Sequence, residues 1–163
     1  MSHFRTIDQK IIAPEDLVDR VALLKKEKKT IATLNGSFDL LHAGHLAILK
    51  EAALQAHVLI VALNSDTSIQ QYKSPHRPII PLNYRLELIG ALEMVGFVTW
   101  FDELDPRELI QKIRPDVHVN GAEYGSDCIE ATMVKAIGAR LHLVKLVPGL
   151  STSEIIRKIR CAP

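Results

Sequence analysis

Asn35-Gly36-Ser37-Phe38-Asp39-Leu40-Leu41-His42-Ala43-Gly44-His45 decides the reading of this chain. Before it runs Ile31-Ala32-Thr33-Leu34, a short apolar stretch with strand character. After it comes Leu46-Ala47-Ile48-Leu49-Lys50-Glu51-Ala52-Ala53-Leu54, which carries helical spacing. The stretch is therefore a strand-to-helix turn. His42 and His45, three residues apart, fall on one face of the helix's first turn. Gly44 between them leaves room for a ligand to approach the backbone. A helix N-terminus presents free N–H groups and a partial positive charge, so it favours phosphate. Two imidazoles added to such a site point to chemistry on a phosphate. A zinc pair on a helix is expected at i, i+4 with an adjacent Glu. The spacing here is i, i+3 with no third ligand nearby, so no resident metal site is expected.

Working outward, strands alternate with helices along the whole chain. Further strands are expected at Val58–Leu63, Phe97–Phe101, Val117–Val119 and Leu141–Leu146. Helices are expected over 14–24, Leu82–Met94, Pro106–Ile113, Cys128–Ile137 (stopped by Gly138) and Thr152–Ile159. The stretch from Asn64 to about Pro81 reads as a polar loop. This alternation predicts an α/β fold: a Rossmann-like, doubly wound, parallel five-stranded sheet with helices on both faces. Residues 1–163 read as one domain, with 1–29 a helical extension packed on it. Ligands of such sheets bind at the carboxyl ends of the strands. Four polar clusters fall there: Gly36–His45, Asn64-Ser65-Asp66, Asn120–Tyr124 and Gly149–Ser153. They are expected to form one site.

Composition narrows the function classes. A net charge of +1 gives no electrostatic case for nucleic acid or an anionic membrane as partner. No apolar stretch is long enough to span a membrane, and Met1-Ser2-His3-Phe4-Arg5 does not read as a signal peptide. Cys128 and Cys161 make neither a disulfide framework nor a metal knuckle, so a reducing, cytoplasmic setting is expected.

Gly-x-Phe-Asp followed by His-x-Gly-His resembles the nucleotidyltransferase superfamily of cytidylyltransferases, pantetheine-phosphate adenylyltransferase and class I aminoacyl-tRNA synthetases. Pro148-Gly149-Leu150-Ser151-Thr152-Ser153 is similar to the family's second signature, with Ser153 in place of Thr. Ser151 and Glu154 also read as a capping box. Asn64-Ser65-Asp66, Arg77-Pro78-Ile79, Pro81–Arg85, Arg114-Pro115-Asp116 and Leu146–Ser151 extend the likeness over most of the chain. Together they resemble the heptose 1-phosphate adenylyltransferase domain, which makes ADP-heptose for lipopolysaccharide.

The resemblance implies transfer of AMP from ATP to a sugar 1-phosphate, with Mg²⁺ accompanying the nucleotide and pyrophosphate released. It implies His42, His45 and Lys73 as catalytic groups, the histidines favoured in the protonated form by phosphate. Nucleotide binding falls to Asn35, Gly36, Ser37, Phe38, Asp39, Gly44, Gly121, Glu123, Ser151, Thr152 and Ser153. The acceptor falls to Asn64, Asp66, Arg85, Asn120 and Tyr124. For Asp39 the residues alone favour ordering of the turn. Asn120 stands where that branch usually has Lys, and Ala122-Glu123-Tyr124 replaces Gly-Asp-Tyr, so the departures gather on one segment. Leu146 stands where cytidylyltransferases carry Arg, against that sub-branch. Glycerol-phosphate cytidylyl transfer from CTP is the alternative enzyme, and a nucleotide-binding regulatory domain the non-enzyme alternative. A homodimer is implied, with Trp100, Phe101 and the apolar face of Leu86–Met94 as candidate contacts.

Overall fold

The computed structural model describes residues 6–145 and 148–162. Its centre is one parallel sheet of β1 (Ile31–Gly36), β2 (Val58–Asn64), β3 (Phe97–Phe101), β4 (Val117–Gly121) and β5 (Arg140–Val144), in the spatial order β3-β2-β1-β4-β5. Period-two alternation sends successive side chains to opposite faces. Ala32, Leu34, Val61, Val98 and Val119 pack on one side with Ile48 and Leu49 of α3 (Ala43–Ala53) and Leu86 and Ile89 of α5 (Leu82–Gly90). Ile31, Ile60, Ala62, Phe97 and Phe101 pack on the other with Leu17, Val21 and Leu24 of α2 (Leu17–Lys26) and Leu109 and Ile113 of α6 (Arg107–Ile113). With both faces covered, the central strands are mostly apolar, β2 most of all, as a doubly wound sheet requires.

From β1 the chain winds outward through β2 to β3, then returns to lay β4 on the other side of β1. The connections leaving β1 and β4 therefore diverge, opening a crevice at their carboxyl ends. That crevice holds the site.

Several boundaries differ from expectation. A short helix α4 (Asp66–Tyr72) occupies part of the stretch read as loop, capped by Ser65 Oγ, which accepts the Ser68 N–H at 3.2 Å. Another, α1 (Ile7–Lys10), precedes α2, and Ile12 N–H bonds Val98 O, so this segment covers the outer edge of β3. α5 stops at Gly90 rather than Met94. A Cβ at Gly90 would approach Ile7 and Val98, and one at Gly96 would strike Val58 Cγ1 at 2.8 Å, so the chain must turn tightly into β3 here. α7 is Ala131–Ala136, shorter than Cys128–Ile137, with Gly138 ending it at φ +75°. The last residue of the expected fifth strand, Leu146, lies outside the described residues, as does the Leu146 comparison with Arg. Phe101, Leu86 and Ile89, offered as dimer contacts, are buried in the protein's own core. Among the described residues no helix is long and apolar enough to cross a membrane.

Candidate active site

α3 begins directly after the turn that leaves β1. Its N-cap is His42, whose Nδ1 accepts the His45 N–H at 3.3 Å. The two rings stack with centroids 3.8 Å apart. Gly44 makes this possible: a Cβ there would sit 3.0 Å from the His42 ring, so the missing side chain seats the imidazole as well as opening the backbone. Because Nδ1 serves as acceptor, the neutral ring carries its proton on Nε2 and can donate it. Burial pushes His45 down to about 4, helped by His42 and Lys73, and pushes His42 below its ordinary value. Burial thus favours the neutral form of both rings, opposing the protonated form that a phosphate beside them favours.

Beneath His45 lies the ring of Phe38, 5.0 Å centroid to centroid. Phe38 is buried and holds φ +45°, a conformation costly for a side chain of this size. Its ring also fills the space a Cβ on Gly36 would take.

Lys73 caps the end of α4, and its Nζ donates to Ser37 Oγ at 2.9 Å. Burial lowers its pKa, and Arg77 lowers it further. The approach is held by two buried links. Asp39 Oδ1 accepts the N–H groups of Ile79 (2.7 Å) and Ile80 (2.9 Å), and Oδ2 pairs with Arg77. Arg85, 0% exposed, donates to Ser37 O, Asn64 O and Ile80 O and pairs with Asp66 at 2.7 Å.

The far wall comes from β4 and a single 3-10 turn, Ala122–Tyr124. Asn120 Oδ1 accepts the Gly121 N–H at 2.9 Å, and its Nδ2 donates to Glu130 Oε2 at 3.3 Å. The carboxyl group of Glu123 folds over Gly121, where a Cβ would meet it at 2.3 Å. The third wall is the start of α8 (Thr152–Arg160). Ser151 Oγ caps it by accepting the Glu154 N–H at 3.1 Å. The reciprocal half of the expected capping box is absent, because Glu154 pairs with Arg157 instead.

These elements enclose a cleft of ≈ 250 Å³. It is lined by Asn35, Gly36, Ser37, Phe38, His42, Gly44, His45, Lys73, Asn120, Gly121, Glu123, Tyr124, Ser151, Thr152 and Ser153, with Leu34, Ile48 and Leu150 as apolar floor. Three of the four expected clusters thus meet in one place. The fourth does not. Asn64 is buried and donates to Ser68 Oγ, and Asp66 and Arg85 are spent on each other. Asp39, assigned to nucleotide, is 0% exposed and holds the Arg77–Ile80 segment. These four residues position the rim rather than line the cleft. Sequence reasoning missed the Asp39–Arg77 clamp and Glu130. Partners 38 positions apart leave no periodic signal, and nothing about Glu130 distinguishes it from a surface Glu at a helix start.

Among the described residues no group of three or more His, Cys, Asp or Glu could hold a metal ion. Among the described residues Glu123 is the sole acidic side chain lining the cleft. The cleft's chemistry is that of anion binding: two helix N-termini, a lysine, a neutral imidazole donor and a set of hydroxyls on one side.

A family model described as cytidylyltransferase-like matches residues 33–158. Similar curated proteins include the bifunctional protein HldE of Syntrophotalea carbinolica, 39% identical over 158 residues covering 96% of this chain and 32% of that protein. The bifunctional protein HldE of Azorhizobium caulinodans is 40% identical over 151 residues, covering 92% and 32%. The chain therefore spans about a third of the length of these relatives. A crystal structure of the lipopolysaccharide core biosynthesis protein from Thermoplasma volcanium GSS1 superposes with a TM-score of 0.59 at 27% identity, covering 73% of this chain and 97% of that one.

Proposed function

The chain belongs to the cytidylyltransferase-like family of nucleotidyltransferases, and we propose that it transfers AMP from ATP to a sugar 1-phosphate, D-glycero-β-D-manno-heptose 1-phosphate. The observation that carries this reading is the convergence of the α3 and α8 N-termini, His42 and Lys73 on one crevice. The similarity to a lipopolysaccharide core biosynthesis protein supports an acceptor of that kind, and the resemblance of the sequence motifs to the heptose 1-phosphate adenylyltransferase domain supports the heptose.

In the proposed reaction an oxygen of the acceptor phosphate attacks the α-phosphorus of ATP, and pyrophosphate leaves in line. The protein's work is positioning and charge neutralisation. His42 Nε2–H and Lys73 donate to the transferred phosphoryl group. The α8 N-terminus, with the hydroxyls of Ser151 and Ser153, receives the leaving phosphates. Mg²⁺ fits as a cation carried in on the triphosphate, since Glu123 alone could add a carboxylate ligand; it would neutralise phosphate charge. A cytoplasmic homodimer completes the proposal, and light scattering at micromolar concentration tests the dimer.

The test is pyrophosphate release measured with ATP and CTP against heptose 1-phosphate, other sugar phosphates and glycerol phosphate. Release with ATP and the heptose alone is expected. Release only with CTP and glycerol phosphate would reassign the enzyme, and no release with any pair would refute it.

A further inference from the structure

Glu130 lies outside the cleft, yet it is 6% exposed, deep for a carboxyl group at a helix start. Burial on that scale requires a partner. Its partner is Asn120: Oε2 accepts from Nδ2 at 3.3 Å. The other end of the same amide accepts the Gly121 N–H at 2.9 Å. Glu130, Asn120 and Gly121 thus form a relay from the start of α7 to the tip of β4. The Cys128 thiol lies against it, pushed up by burial and then by Glu130 and held back by Asn120.

The relay fixes an amide plane that would otherwise flip or rotate. With Glu130 in place, Asn120 must direct Oδ1 at Gly121 and Nδ2 at the carboxyl group. Gly121 begins the 3-10 turn that carries Glu123 and Tyr124 into the cleft. Glu123 rests on Gly121, so a shift of that peptide moves a carboxyl group that lines the cleft.

We propose that Glu130 is a positioning residue: through Asn120 it sets the Gly121–Tyr124 wall, and with it the binding of whichever substrate that wall meets. The kinetic part of this inference rests on the adenylyltransferase reading; the structural part does not. One hydrogen bond of this kind contributes about 1 kcal/mol, equivalent to roughly fivefold in a binding constant.

The experiment uses the full chain and two readouts on Glu130→Ala, Glu130→Gln and Asn120→Ala. The first is amide hydrogen exchange. Glu130→Ala should speed exchange at 121–124 and leave the strands at their wild-type rates, while Glu130→Gln, which keeps an oxygen acceptor, should restore protection. Asn120→Ala reaches the same Gly121 amide from the other side and should reproduce the local loss, so the test survives even if Glu130→Ala does not fold. The second is steady-state kinetics of pyrophosphate release. Glu130→Ala should raise KM for one substrate about fivefold with kcat nearly unchanged. Unchanged exchange at 121–124 in both alanine variants, or equal acceleration across the whole chain, overturns the proposal. Absence of pyrophosphate release from the wild type refutes the reaction instead, and leaves the exchange result to decide the role of Glu130.

Discussion

On the proposed reaction His42 performs two separable tasks, and substitutions can pull them apart. As N-cap it satisfies the His45 N–H through Nδ1; as a donor it offers Nε2–H to the cleft. His42→Ala removes both. Losing a side-chain cap costs about 1 kcal/mol, which for a chain of this size lowers Tm by roughly 2–4 °C. Losing a donor aimed at charge that develops in the transition state costs about 10²–10³ in kcat. His42→Ser separates the terms. Serine is a better N-cap than histidine, so Tm should recover to the wild-type value or above. Its hydroxyl is too short to reach where the imidazole Nε2 stood, so turnover should stay at the alanine level. Differential scanning calorimetry and pyrophosphate release, run on the same three preparations, read both quantities. A serine variant with near wild-type turnover would refute the donor role. An alanine variant with unchanged Tm would refute the cap.

His118 gives a pH prediction. It sits on β4 with Nδ1 2.9 Å from Thr33 Oγ1, and burial pushes it down to about 4. Between about pH 4 and the unfolded value near 6.5, the unfolded chain binds a proton that the folded one refuses. Stability should therefore fall as pH drops through that window, by up to about 3 kcal/mol from this residue, and stay flat above it. The gap between the urea midpoints at pH 7 and 4.5 should narrow in His118→Gln, the remainder belonging to His45 and His42, and an undiminished gap would count against the assignment. Asp39→Ala strips the partners from Arg77 and two backbone N–H groups; we expect about 3 kcal/mol lost in urea unfolding and a raised KM for ATP as Lys73 loosens. A normal KM would show that the clamp does not steer Lys73. Gly44→Ala forces a Cβ against the His42 ring, so kcat should fall at least tenfold while the fold persists, as circular dichroism would show. Asn120→Lys removes the acceptor from the Gly121 N–H and sets an ammonium beside Glu130. KM for the acceptor should move more than KM for ATP, and a change confined to ATP would take Asn120 out of acceptor binding.

What could be read from the residues was what repeats or sits close in sequence. Apolar runs such as Val58–Leu63 and Phe97–Phe101 announced the strands because a doubly covered sheet buries both faces of each. The turn from β1 into α3 was legible because His42, Gly44 and His45 lie within four residues and their geometry is local. The Ser65 cap of α4 was legible in principle but masked by the polar residues after it. Long-range polar contacts were not legible. Arg85 carries the same letter whether it meets a substrate or, as found, ties Ser37, Asn64 and Ile80 together from inside the protein. Asn120 could have faced a ligand in both directions; the fold turns one end to Gly121 and the other to Glu130.

The left-handed backbone at Phe38 bears on attempts to make this protein more heat-resistant. A bulky residue at φ +45° is an obvious target for replacement by glycine, which adopts that conformation freely. Here the ring is the floor on which His45 leans and the filling beside Gly36. Glycine would relax the main chain and hollow out the ground under the imidazole pair. A sequence optimised for melting temperature alone would erode this position first, so it is one to hold constant in any such campaign.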